Sequence, residues 1–184
     1  MKRLAIHLLL LLPVLFLAFK VLVLEDVTEP VKYIYTVTGV SATVILYFSI
    51  CISMIREKIN LMKFRRAVGL YGFFYAFLHL INFAIFDAQL DFEFIAKETI
   101  DKPFIYLGML AFFILLFMTI TSIKSLYKKY NTYHRFVYLA LILITVHFLM
   151  AQKTISVENF CYIGIILVVG YYKLLQKIVQ NNKI

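Results

Sequence analysis

The chain has 184 residues, 63% of them hydrophobic and 17% aromatic, with a mean hydropathy of +0.89 and a net charge of +9. A chain this size cannot turn so much apolar surface inward, because a domain of about 150 residues still leaves roughly 30% of its unfolded-state surface in contact with solvent; the solvent must be lipid, which excludes an ordinary globular enzyme. Six Gly, three Pro and two Cys likewise exclude a collagen-like repeat and a disulfide scaffold, and the hydrophobicity excludes disorder.

In chain order, runs without Asp, Glu, Lys or Arg fall at Leu4–Phe19, Tyr33–Ile55, Ala67–Phe86, Pro103–Ile123, Phe136–Gln152 and Asn159–Tyr172. About 20 residues cross the hydrocarbon at 1.5 Å per residue. Lys20 and Lys173 can snorkel and so extend the short first and sixth runs. The expected spans are therefore 4–24, 33–55, 66–86, 103–123, 134–152 and 159–175. Lipid admits only helices or closed barrels, and the runs lack the period-2 alternation of barrel strands. The expectation is an all-α polytopic membrane protein, a six-transmembrane-helix bundle in which residues 1–184 form a single domain. Lys2 and Arg3 imitate the start of a signal peptide, but no small-x-small site follows Phe19, so the first run is expected to be a retained helix.

Charge divides by loop. Lys2, Arg3, the stretch 56–66, Lys124 to Arg135 and the residues from Lys173 onward hold fourteen basic groups and one acid, Glu57. The alternate segments, around 25–32, 87–102 and 153–158 with Lys20, hold five basic and nine acidic groups. The positive-inside rule then places both termini in the cytoplasm. Basic residues gathered at span ends argue against nucleic acid as the partner of this charge.

Three of four histidines fall in or against spans: His79 in the third, His134 and His147 in the fifth. No acid lies within a span, so imidazole is the main chemistry available inside the bilayer. Two facing imidazoles suit haem, which is flat, largely apolar and needs one or two axial nitrogens. His79 lies thirteen residues beyond Arg66 and His147 thirteen beyond His134, about 20 Å from the cytoplasmic side in both cases. On parallel spans they match in depth, as an outer bis-His pair. His134, near the cytoplasmic interface, is the candidate for an inner haem. An ideal helix separates His134 from His147 by about 220°, so an altered turn or rotamer is needed for the two to share a face.

The positions facing His134 on span three are Arg65 and Arg66, which cannot ligate iron. They read either as positive-inside anchors or as bidentate contacts to propionate or nucleotide phosphate. His7, at the start of span one, is either a substitute ligand or an interfacial histidine. The alternative for His79 and His147 is interhelical hydrogen bonding, with the chain then a haem-free scaffold or transporter. Cys51 and Cys161 read as small hydrophobes. Tyr71, Phe73, Phe74, Tyr75 and Phe77 either line a macrocycle or pack, and Gly39, Gly69, Gly72 and Gly108 permit close helix approach. No Gly-rich phosphate loop, Ser–His–Asp arrangement or CxxC motif occurs.

Phe64-Arg65-Arg66-Ala67-Val68-Gly69-Leu70 leading to Tyr75 and Leu78-His79, then Tyr133-His134-Arg135-Phe136-Val137-Tyr138-Leu139, then His147-Phe148, form a pattern that resembles a known family. Weaker matches are Pro30-Val31-Lys32, Thr38-Gly39, Lys97-Glu98 and Lys102-Pro103-Phe104. The family is MsrQ (also YedZ), the haem-binding membrane subunits of the bacterial protein-methionine-sulfoxide reductase system, within the ferric-reductase-like transmembrane superfamily. The resemblance implies an electron-transfer subunit of the bacterial inner membrane rather than the substrate-reducing enzyme. Its implied cofactors are haem b, one or two per chain, and by some accounts FMN. Its implied donors are the quinone pool or a cytoplasmic flavin reductase; its acceptor is a periplasmic molybdopterin-containing reductase of the MsrP type that repairs oxidised proteins. An anchor for another reductase, ferric or quinone, is the alternative within redox chemistry. Superfamily members carry two histidines on each of two helices, and this chain lacks one of the four. It also has no Trp where the subfamily usually has one before the His134 equivalent; Tyr130 stands nearby.

Overall fold

The computed structural model describes residues 2–24, 27–56 and 59–151, with 164, 168 and 171. Among these residues every regular element is helical. Helix α1 spans Lys2–Leu22, α2 Pro30–Met54 and α3 Met62–Asn82, the last running on through a π turn, Phe83–Asp87. Helices α4 (Phe92–Asp101), α5 (Pro103–Ile120) and α6 (Lys124–Tyr130) follow, then a 3-10 turn, Asn131–Phe136, and α7, Val137–Ala151. Five helical stretches among the described residues are long and apolar enough to cross a membrane. The expected sixth span, 159–175, lies outside the described residues apart from 164, 168 and 171.

One span boundary and two connections depart from the expectation. Residues 134–136 do not belong to the last α-helix, which begins at Val137; they form the 3-10 turn. Two connections carry helices of their own. Asp91 caps α4 by accepting from the backbone N–H groups of Glu93 (2.9 Å) and Phe94 (3.1 Å), satisfying donors that a helix start otherwise leaves orphaned.

Helix α2 packs chiefly on α3, and α5 on α7; contacts of α3 with α5 and of α2 with α7 join the pairs, while α1 lies outside α2 and α3. Small residues permit the first pairing: a Cβ on Gly72 would meet the Leu46 side chain at 2.7 Å, so the helices approach as lipid-embedded helices do when backbone meets side chain. Leu46, Tyr47, Ile50, Leu115, Val137, Ala140 and Leu141 form a solid core in the half of the bundle nearer the 3-10 turn, and the Tyr47 and Thr145 hydroxyls hydrogen-bond there at 2.6 Å. The outward surface is apolar: Leu8, Leu12 and Phe16 of α1 and Phe113 of α5 are exposed. Such a surface is stable only against acyl chains.

Pro13 lies inside α1 and lacks an N–H. Beside it, the fully buried Tyr75 of α3 inserts its hydroxyl into the helix, donating to the Leu10 carbonyl (2.8 Å) and accepting from the Val14 N–H (3.2 Å). With no water in the hydrocarbon, this contact satisfies the local backbone and docks α1 on α3. Tyr75→Phe keeps the ring and removes the bridge. It is expected to cost about 1–3 kcal/mol, measured as a lower unfolding midpoint in detergent.

A candidate haem site between four helices

Where the core ends, α2, α3, α5 and α7 part around a cavity of about 540 Å³, a volume in the range of cofactor sites. Ala111 and Leu115 lie toward its floor, and Phe94 and Glu98 of α4 stand at the opposite end. Its wall is mostly apolar, and His79 from α3 and His147 from α7 both line it. Their ring centroids are 6.2 Å apart with planes at 88°. Two imidazoles bound through nitrogen on opposite sides of one metal, at about 2.0 Å each, would have centroids about 6 Å apart.

The neighbours of the rings select the same nitrogen on each. Thr38 spends its hydroxyl proton on the Ile34 carbonyl (2.6 Å), so at 3.3 Å from His79 Nδ1 it accepts from the ring N–H. The Phe104 carbonyl can only accept, so His147 Nδ1 donates to it at 2.6 Å. Both rings are thereby held as the Nδ1–H tautomer, leaving the Nε2 lone pair for a ligand, the arrangement by which metal-binding histidines are usually oriented.

Two glycines make the space. A Cβ on Gly39 would lie 3.1 Å from His79 Cε1, and one on Gly108 would lie 2.9 Å from His147 Nδ1. These glycines therefore clear room for imidazoles rather than for close helix approach. Gly72 does serve the approach of α2, whereas a Cβ on Gly69 would meet only Ser49 Oγ at 3.7 Å. From the sequence Gly39 and Gly108 read only as points of close helix approach, and Thr38 and Phe104 carry no individual role. The Thr38-Gly39 and Pro103-Phe104 pairs did carry a signal, as minor stretches of the family pattern.

No group of three or more His, Cys, Asp or Glu converges as a metal site among the described residues. Two nitrogens are too few for a protein-only transition-metal site. They suit a metal whose remaining donors come from a flat macrocycle, and an apolar cavity between the rings suits the macrocycle.

The other candidates lie elsewhere. His134 sits in the 3-10 turn, with Tyr127 edge-on at 5.0 Å between centroids. Thr121 donates to the Phe117 carbonyl (2.8 Å) and so accepts from His134 Nε2 at 3.1 Å. The ring therefore ties the turn to the end of α5 through the nitrogen that His79 and His147 keep open. Arg65 and Arg66 stand in the first turns of α3; neither lines the cavity, and thirteen residues from Arg66 to His79 make about 20 Å of helix. Among the described residues no acid pairs with either arginine. His7 Nδ1 is 3.2 Å from the Tyr71 hydroxyl, on the α1–α3 face. Phe73 and Phe77 stack with Phe112, a cavity-lining residue of α5.

Comparison with known proteins adds to this geometry. The family described as "Ferric reductase like transmembrane component" matches residues 56–151, more than half of the chain, with His79, His134 and His147 all inside the match. The chain belongs to this family. Within the ferric reductase like group it is similar to curated proteins named "Protein-methionine-sulfoxide reductase heme-binding subunit MsrQ". The Agrobacterium fabrum protein is 34% identical over 136 residues, covering 71% of this chain and 63% of the relative. The Brucella ovis and Brucella canis proteins are 32% identical over 136 residues, covering 71% of this chain and 62% of each relative. The chain thus spans less than two thirds of the length of these relatives. No solved structure matches it.

Proposed function

We propose that the chain is a membrane cytochrome b, a single bundle that holds haem between His79 and His147 and passes electrons outward across the bacterial inner membrane. The observation that carries this reading is the pair of cavity-lining imidazoles, 6.2 Å apart, each with Nδ1 engaged and Nε2 left over. Bound haem supplies a one-electron iron couple. The protein's part is to position and insulate: Thr38 and the Phe104 carbonyl hold the two tautomers, Gly39 and Gly108 give the rings room, and the apolar wall keeps water from the iron. The packed core below closes the site from the basic side of the bundle, while the mouth under α4 opens toward the acidic side.

By its likeness to the MsrQ subunits, the chain takes electrons from the quinone pool or a cytoplasmic flavin reductase. It delivers them to a periplasmic molybdopterin-containing reductase of the MsrP type, which returns oxidised methionine in envelope proteins to the thioether. On this reading it is the electron-transfer subunit and not the substrate-reducing one. Arg65 and Arg66, with no acidic partner among the described residues, keep their guanidinium forks for an anion at the inner face, such as the phosphate of FMN.

The test is an optical spectrum of the purified protein with haem quantified per chain. The expected result is a Soret band and a sharp reduced α band from low-spin haem; a preparation that stays colourless after incubation with haem would instead favour a scaffold or transporter. The same measurement decides the inner site. His134 engages Thr121 through Nε2 and faces no second imidazole, so His134→Ala is expected to leave the haem-to-chain ratio unchanged. A fall in that ratio would assign a second haem to His134.

A further inference from the structure

Three charged side chains among the described residues line the cavity: Asp87, Glu98 and Lys102. Glu98 and Lys102 form an ion pair. Asp87 is met instead by a neutral phenol, its Oδ2 accepting from the Tyr35 hydroxyl at 2.6 Å. The ring of that tyrosine stands edge-on to His79, 5.3 Å between centroids. Outside the cavity, a shallow surface hollow is lined by Glu29, Pro30, Val31 and Lys32 together with the same Tyr35 and Asp87. There Lys32 is paired with Glu29 at 2.9 Å. Tyr35 and Asp87 therefore form the wall between the cavity and the outer surface, and Asp87 carries the one uncompensated charge among the described side chains that line either space.

The backbone is shaped to put it there. Helix α3 widens into the π turn Phe83–Asp87, a form that recurs at functional sites. Gln89 and Leu90 then take left-handed φ values of 48° and 62° before α4 begins, a conformation costly for side chains larger than glycine. An ordinary helix end needs no π turn, and its left-handed residue is usually a single glycine.

We propose that Asp87 sets the redox potential of the group held by His79 and His147, with the Tyr35 hydroxyl moderating its effect. The proposal rests on the haem reading. Reduction adds one electron to the site, and a fixed negative charge on the wall of a mostly apolar cavity opposes that addition. The phenolic proton withdraws part of the charge from Asp87. Asp87 thus favours the oxidised iron and makes the protein a stronger outward donor, and Tyr35 limits how far.

An optical redox titration of the purified haem-loaded protein tests this. Asp87→Asn is expected to raise the ratio of reduced to oxidised haem at a fixed ambient potential by on the order of three- to tenfold, since Asp87 is exposed and partly screened; tenfold corresponds to about 59 mV for a one-electron couple. Tyr35→Phe leaves the carboxylate without its donor and is expected to lower the ratio. Asp101→Asn removes an outer charge that does not line the cavity and serves as the control for bulk charge, with little change expected. A purely structural role for the hydrogen bond would move both variants the same way, and that result overturns the proposal. So does an unchanged potential in Asp87→Asn with haem content and spectrum intact. Should Asp87→Asn fail to assemble, Tyr35→Phe decides alone, and a potential that does not fall refutes the inference. Wild-type protein that binds no haem defeats the underlying reading instead.

Discussion

Alanine in place of His79 or His147 is expected to remove haem from the purified protein, each variant alone sufficing. Changes to residues that merely orient a metal-bound histidine cost roughly 10–100-fold in metal affinity, and losing an axial nitrogen outright should cost more. The two rings come from helices packed chiefly on their neighbours, α3 on α2 and α5, α7 on α5 and α2, and neither ring belongs to the packed core. Alanine at either position therefore leaves the packed core of Leu46, Ile50, Leu115 and Leu141 untouched. Loss of colour without loss of helix content is the expected signature. Retention of full haem by either variant would show that the ring in question is an interhelical hydrogen-bonding group, the alternative that its bond to Thr38 or Phe104 would also serve.

Glycine substitutions are expected to divide by what stands opposite each position. Gly108→Ala puts a methyl group 2.9 Å from His147 Nδ1 and 3.0 Å from its Cε1. The ring cannot yield without giving up the 2.6 Å bond to Phe104, so its axial direction is lost, and haem affinity should fall roughly 10–100-fold, the cost typical of disturbing a metal-bound histidine's outer partners. Gly39→Ala, at 3.1 Å from His79 Cε1, should act in the same direction with a smaller effect. Gly72→Ala presses on the side chain of the buried Leu46 at 2.7 Å and is expected to lower stability with haem affinity per folded molecule kept. Gly69→Ala meets only ordinary contact and should gain about 0.5–1 kcal/mol from helix propensity. Haem titration and thermal unfolding of the four variants separate site from scaffold. A Gly108→Ala protein that binds haem like the wild type would contradict the proposed role of His147.

Much of this architecture could be read from the residues because the bilayer leaves few options. The first five runs without charge are helical nearly where they were expected, for once water is excluded the backbone must close its own hydrogen bonds. The pairing of His79 with His147 followed from counting residues, since rise per residue converts sequence distance into depth. Depth does not give direction, however. Nothing in the residue count tells that Gly39 and Gly108 lie opposite the two rings, because that depends on how α2 and α5 are rotated about their own axes. His134 illustrates the same limit. The rotation of about 220° between it and His147 leaves an altered turn and another rotamer equally open; the residue sits in a 3-10 turn, and its engagement with Thr121 belongs to the packing of that turn on α5. The outer connection hid α4 because Glu93, Lys97, Glu98 and Asp101 interrupt its apolar residues, although Asp91 followed by Glu93 and Phe94 was a legible cap. Asp87 was counted only as part of a loop's charge. Its place on the cavity wall comes from the π turn, which no periodicity in the sequence announces.

The central claim is that one iron sits between these two imidazoles, and the most direct measurement is low-temperature electron paramagnetic resonance of the oxidised protein. Iron held by both imidazoles would give a low-spin ferric signal, present in the wild type and absent from both His79→Ala and His147→Ala. A high-spin ferric signal in the wild type, or a low-spin signal that survives either substitution, would contradict it.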